Sequence, residues 1–370
     1  MKFSCSKDLL DKQLNHVSRI ITVRSTAPVL SNVLLETDKD IIRISSTDLD
    51  LAITTHLPAE VEQEGTFTVP AKLFQEFVHQ NPDETIQFTL ESYELVCKSK
   101  KVTARISGID ADEFPSLPSV EGGQRLSLPL TQLVDAMKRV IIACALDSSR
   151  PVLAGLYLHL EDDTATLAAT DSFRLVEKKL TIVPVGDSYT LNIPARTVQE
   201  IIRVASTMTE VKDVELEVSD QQIIFRIGSV ELFSRVITGN FPKYTTIIPQ
   251  TFVTVADITT SELVQALRLS TVFSQSGVSN VMLEITEGGD FTITTHGSQR
   301  GNTKHTIYAL LQDGFTPLRL PFNARFLLDA CSASGSSHLQ LRFSGQTTPL
   351  VVATDDPNYT QLVMPIRLEA

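Results

Sequence analysis

Phe67-Thr68-Val69-Pro70-Ala71-Lys72-Leu73-Phe74 reads as a strand that closes on a proline and opens a helix. The same reading applies to Leu191-Asn192-Ile193-Pro194-Ala195-Arg196-Thr197-Val198, and to Leu318-Arg319-Leu320-Pro321-Phe322-Asn323-Ala324-Arg325-Phe326. Alternating apolar positions before the proline predict the strand, and a proline costs a helix nothing in its first turn, where the N–H has no acceptor. Pro70, Pro194 and Pro321 stand 124 and 127 residues apart. Self-similarity at a fixed period is the signature of duplicated units.

Outward from the prolines, other signals recur with the same period. Some twenty residues upstream come Thr47-Asp48-Leu49-Asp50-Leu51, Thr170-Asp171-Ser172-Phe173-Arg174-Leu175 and a degenerate Thr295-His296-Gly297. Downstream come Phe114-Pro115, Phe241-Pro242-Lys243-Tyr244 and Asp356-Pro357-Asn358-Tyr359. A helix begins each unit: residues 6–20 place Leu9, Leu10, Leu14, Val17 and Ile20 at helical spacing, and residues 131–145 and 261–273 follow suit. Alternating runs such as Ile41-Ile42-Arg43-Ile44 supply strands. Two helices and about eight strands per unit predict an α+β layer, with each helix pair covering the apolar face of antiparallel sheets. The expected domains are 1–122, 123–249 and 250–370, joined through the turn-rich stretches around 118–124 and 249–252.

Composition bounds the function. Hydrophobic residues make up 42% and charged residues 21% of the chain, so an ample core is available to a globular protein. Trp is absent, which leaves an aliphatic core. Cys5, Cys97, Cys144 and Cys331 are scattered without a CxxC pair, which favours lone buried thiols over disulfides or zinc. The first residues carry no apolar leader, the longest apolar run (140–146) is far too short to span a bilayer, and a cytoplasmic location is expected. Asn358-Tyr359-Thr360 matches a glycosylation acceptor that has no meaning there.

The net charge of −12 argues at first sight against nucleic acid. Its distribution changes that. The expected helices (6–20, 70–80, 130–143, 194–205, 261–272 and 322–331) hold ten basic and seven acidic residues, net +3. The rest of the chain holds 22 basic and 37 acidic residues, net −15. Helix surfaces also carry charge simply to stay solvated, but equivalent helices in three repeats would turn theirs to one side. No catalytic constellation is present: no G-x-S-x-G, P-loop, G-x-G-x-x-G, H-E-x-x-H or C-x-x-C. Glu161-Asp162-Asp163 and Thr354-Asp355-Asp356 offer carboxylates, but at positions that read as turns between strands. A β-rich interaction scaffold without a nucleic-acid role is the competing reading.

In order and spacing the motifs resemble the bacterial β sliding clamps, the processivity subunits of replicative DNA polymerases. Met1-Lys2-Phe3, Arg24 to Pro28 with Leu30-Ser31-Asn32-Val33-Leu34-Leu35, residues 169–175, Phe241 to Pro249 and Met364-Pro365-Ile366-Arg367 carry the likeness. It implies three tandem DNA-clamp domains per chain, a head-to-tail dimeric six-domain ring around duplex DNA, and no cofactor or catalytic residue. It further implies that a strand near 101–107 and the apolar Val272 and Phe273 meet the other copy. Arg24 and Lys72, and by helix phase Arg139, Arg196 and Arg203, are expected to face DNA. The implied partner-peptide groove comprises Arg150, Leu153, Thr170, Ser172, Phe173, Arg174, Leu175, Pro242, Ile247, Asn323, Phe326, Pro349, Leu362, Met364, Pro365, Ile366 and Arg367. Its implied users are the replicative polymerase, the clamp-loader ATPase, and other polymerases and repair proteins. Leu153, Leu175 and Ile247 also read as plain core. The chain departs from the family pattern at Ser172-Phe173, where Gly-His is common, and in ending with Glu369-Ala370.

Overall fold

A computed structural model describes all residues except 22–26, 118–123, 148, 220, 274–279, 296–300 and 368–370. Arg24, the third Thr-His-Gly motif beyond Thr295, most of the expected first linker and Glu369-Ala370 therefore lie outside the described residues. The described chain contains six α-helices: α1 Lys7–Val17, α2 Ala71–Gln80, α3 Leu130–Val140, α4 Ala195–Thr207, α5 Thr260–Phe273 and α6 Ala324–Ser334. Every named strand pairing is antiparallel. The helix expected from residue 131 to 145 stops at Val140 and tightens into a 3-10 turn at Ile141–Ala143.

The chain divides into two compact units. One comprises Met1–Thr131 and Gln199–Val236. It holds a five-stranded and an eight-stranded sheet. Phe3, Phe74 and Phe88 centre the first repeat's core, with Phe3 stacked on Phe88 at 4.8 Å and Phe74 edge-on to it at 5.8 Å. Leu10, Leu14 and Val17 turn inward from α1, and Phe74 and Val78 from α2, as the helical spacing predicts. The eight-stranded sheet runs continuously from one repeat into the next, because Leu51–Pro58 pairs with Val230–Arg235. Edges that would otherwise expose unpaired backbone are thereby consumed.

The second unit comprises Gln132–Val198 and Ile237–Ala370, with a nine-stranded and a four-stranded sheet. The same joint occurs again: Arg174–Thr181, the counterpart of Leu51–Pro58, pairs with Tyr359–Val363. Phe291, Phe322 and Phe343 lie in its aliphatic core with Leu263, Leu267 and Leu327 from α5 and α6.

Strand register corrects the alignment of the repeats. The strands that lead into α2, α4 and α6 each pair with an earlier strand, and the terminal partners are Asn32 with Pro70, Gly155 with Pro194, and Asn280 with Asn323. The third counterpart of the prolines is thus Asn323, not Pro321. Pro70 and Pro194 close their strands, and the helices begin one residue later. Pro321 lies inside the strand Leu318–Asn323, an edge strand of its sheet, where a missing N–H is tolerated. Asn323 caps α6 by accepting the Arg325 amide at 2.9 Å. With the register set, Lys72, Arg196 and Arg325 are equivalent: a basic residue one position after the first residue of the helix in every repeat.

Candidate functional site

Two adjoining pockets of the second unit begin at a repeated turn. Thr170 Oγ1 donates to the Arg174 carbonyl at 2.6 Å and accepts the Ser172 amide at 3.2 Å. Asp171 Oδ1 accepts the amides of Phe173 and Arg174, both at 3.0 Å. Thr47 and Asp48 make the same four bonds in the first repeat. The middle residue is left-handed in both, Leu49 at φ 82° and Ser172 at φ 77°. A non-glycine residue there is strained by roughly 1–2 kcal/mol. In the second repeat this bend holds Phe173 outward, 62% exposed.

The first pocket, about 470 Å³, is lined by Arg150, Leu153, Thr170, Ser172, Arg174, Leu175, Pro242, Ile247, Leu362 and Met364, together with Val152, Lys243 and Tyr244. The second, about 520 Å³, is lined by Ser172, Phe173, Asn323, Phe326, Met364, Pro365, Ile366 and Arg367. Ser172 and Met364 belong to both, and the Met364 amide donates to the Phe173 carbonyl at 2.8 Å, so the pockets are two ends of one groove. Of the residues expected there, Pro349 alone lines neither; it is buried, immediately before the strand Leu350–Ala353. Leu153 and Leu175 are buried while lining the groove, whereas Ile247 is 50% exposed. Val152, Lys243 and Tyr244 were missed, although the last two sit in the Phe241-Pro242-Lys243-Tyr244 motif.

Charge in the groove is arranged unevenly. Arg174 is bound by Asp171 Oδ2 at 2.9 Å and Asp329 Oδ2 at 2.5 Å, and its guanidinium lies 4.5 Å over the Phe326 ring. Two carboxylates neutralise it, and it stiffens the wall. Arg150, Lys243 and Arg367 are exposed at the rim, and no carboxylate lines either pocket among the described residues. Behind the first pocket the Tyr244 hydroxyl donates to Glu177 Oε2 at 2.6 Å. Burial first, and Glu177 second, raise the Tyr244 pKa far above its ordinary value, so the phenol stays neutral.

The basic residues assigned to DNA separate into two kinds. Lys72 is exposed on α2, Arg196 is exposed on α4, and Arg325, which was not among the expected DNA contacts, is exposed on α6. Arg139 and Arg203 are half-buried and bind helix carbonyls. Arg203 donates from Nη2 to the His16 carbonyl at 2.9 Å and from Nη1 to the Asn15 carbonyl at 3.3 Å, and pairs with Glu200 at 2.6 Å. Arg139 donates from Nη1 to the Ser334 carbonyl at 2.9 Å and pairs with Asp135 at 2.8 Å. Each thus satisfies carbonyls at the end of a helix from another repeat, α1 and α6 respectively. Arg24 lies outside the described residues. Val272 is 67% exposed at the end of α5, beside the half-buried Phe273.

Among the described residues no group of three His, Cys, Asp or Glu side chains is arranged to hold an ion. Asp356 caps its own turn by accepting the Asn358 amide at 3.0 Å and pairs with Lys178 at 2.6 Å. All four cysteines are buried and free, and burial pushes each thiol up to about 12. Among the described residues no helix is long and apolar enough to cross a membrane.

Three family models match in succession: the N-terminal, central and C-terminal domains of the DNA polymerase III beta subunit, over residues 1–118, 127–243 and 245–367. The chain belongs to the β sliding clamp family. A beta sliding clamp of Synechocystis is 30% identical over all of both chains, and that of Bacillus subtilis is 27% identical over 99% of this chain and all of its own. Among solved structures, the Bacillus subtilis DNA polymerase sliding clamp superposes with a TM-score of 0.93 at 25% identity, covering 100% of both chains. The Thermotoga maritima DNA polymerase III beta subunit does so at 0.91 and 26%, again over 100% of both. The expected α+β fold of tandem clamp domains stands, and with it a non-catalytic role as a processivity subunit of DNA polymerase III.

Proposed function

We propose that two copies of this clamp subunit close head to tail into a six-domain ring that encircles duplex DNA in the cytoplasm. In this reading each copy carries domains 1–122, 123–249 and 250–370, and the ring tethers the replicative polymerase. One observation carries it: two five-residue strands, Thr103–Ser107 and Thr303–Ile307, each stand last in their sheets and so offer unpaired backbone. Such edges invite pairing with another chain. Joining the first of one copy to the second of another is a heterologous contact that closes after two copies. Val272 and Phe273 add apolar surface to the same contact.

A ring is held by topology, so it needs no tight grip on DNA. Diffuse contacts to phosphate, without base readout, leave it free to slide. Lys72, Arg196 and Arg325 suit that task. A cation in the first turn of a helix opposes the helix dipole by about 0.3–1 kcal/mol. Its recurrence at one position in all three repeats is explained by an anion outside the helix. The groove takes peptides from the polymerase, the clamp-loader ATPase, other polymerases and repair proteins, which compete for it in turn.

Sedimentation and DNA retention test the proposal together. A dimer held on nicked circular DNA and lost from the same DNA once linearised is the expected result. Equal loss from both forms rules out topological holding. Met364→Ala is expected to abolish binding of a groove peptide and leave the dimer intact; unchanged peptide affinity removes the groove assignment.

A further inference from the structure

The second pocket has a chemistry of its own. Its wall is formed by Phe173, Phe326, Met364, Pro365 and Ile366. The Phe173 and Phe326 rings lie near parallel, 26° apart with centroids at 6.4 Å. Polar contact is scarce: Asn323 Oδ1 is already accepting the Arg325 amide, and neither phenyl ring carries a polar tip. The Phe173 backbone is held at both ends, its amide by Asp171 and its carbonyl by Met364. The point from which the exposed ring projects is therefore fixed beside Phe326. Among the described residues Arg367 is the charged residue of the pocket, and no carboxylate lines it.

We propose that Phe173, set beside Phe326, is a specificity-determining residue that makes the second pocket select an aromatic anchor flanked by a carboxylate in an extended peptide bound along the groove. The inference rests on the groove reading above. Because Ser172 and Met364 belong to both pockets, an extended segment places one anchor in each. An aromatic side chain on the Phe173–Phe326 surface gains the offset or edge-on contacts that aromatic pairs prefer at 4.5–7 Å. A carboxamide there loses water and finds few partners. The adjoining carboxylate answers Arg367.

The test uses the full chain and fluorescent synthetic peptides that share the first anchor and differ at the second: Phe, Leu or Gln, each with and without a neighbouring Asp. The wild-type chain is expected to bind the Phe peptide about three- to tenfold more tightly than the Gln peptide. Phe173→Ala is expected to erase that preference, while Phe173→Tyr keeps it. Arg367→Gln is expected to remove the gain from Asp. Unchanged circular dichroism and melting of these surface variants certify the fold. A Phe preference that survives Phe173→Ala, or no preference in the wild type, overturns this inference alone, provided binding still depends on Met364. Absence of any Met364-dependent binding overturns the groove reading together with it.

Discussion

His16 sits 4% exposed in α1, with its Nδ1 unpartnered in the interior. Burial, helped by the charges of Arg203 and Lys12, holds its pKa down at about 4 against an ordinary 6.5. The folded state therefore binds the proton less readily than the unfolded chain. Its contribution to stability is present above pH 6.5 and is lost as pH falls toward 4. Urea denaturation at pH 7 and pH 4.5 is expected to show a smaller loss for His16→Gln than for the wild type, by on the order of 2 kcal/mol. Equal losses remove His16 from the acid response. Gly155 makes a second residue-scale demand. A Cβ there would stand 2.3 Å from Asn192 Oδ1 and 2.8 Å from the Ile193 carbonyl. Asn192 Nδ2 donates to the Val152 carbonyl at 2.7 Å and holds the turn Pro151–Leu153 beside the first pocket. Gly155→Ala is expected to cost about 1–3 kcal/mol, read as a lower urea midpoint, and to weaken peptide binding.

At the scale of elements, the six helices carry two populations of cations that composition cannot separate. Arg139 and Arg203 bind carbonyls at the ends of α6 and α1. Lys72 and Arg325 stand exposed in the first turns of α2 and α6. Arg203→Ala and Arg139→Ala are each expected to lower stability by about 1 kcal/mol, since helix-end carbonyls lose charged donors, and to leave the salt slope of DNA binding unchanged. Lys72→Ala and Arg325→Ala are expected to do the reverse: stability unchanged, and the slope of log K against log salt reduced by nearly one each. A flat response to Lys72→Ala places that lysine away from phosphate. Helix phase reports which way a side chain leaves its helix, not what it meets there, so it did not reveal the carbonyls that Arg139 and Arg203 bind.

At the scale of the whole molecule, closure of the proposed ring rests on apolar residues that a lone subunit leaves in water. Val272→Glu is expected to convert the dimer to monomers in sedimentation and to abolish retention on circular DNA, with the monomer's melting little changed because the side chain is 67% exposed. A dimer that survives the substitution puts the contact elsewhere.

Through its resemblance to a known family the sequence named nearly all of the residues that line the two pockets; by itself it determined the threefold duplication and the α+β layers. Each of these is written in short-range patterns: helical spacing in Leu10, Leu14 and Val17, the Thr-Asp bend at Thr47 and Thr170, and the strand that runs into a helix. The register of the third repeat was misread, because Pro321 imitates Pro70 from two residues too early and only strand pairing distinguishes an edge-strand proline from one at a helix start. Tertiary structure also decided that Arg203 serves α1 while Arg196 stays exposed, and that Arg174 is neutralised by Asp171 and Asp329. Residue 329 is 155 positions from Arg174, and nothing in either local pattern encodes that approach. Local pattern fixes what an element is; which distant carboxylate or carbonyl a charge meets is fixed by packing.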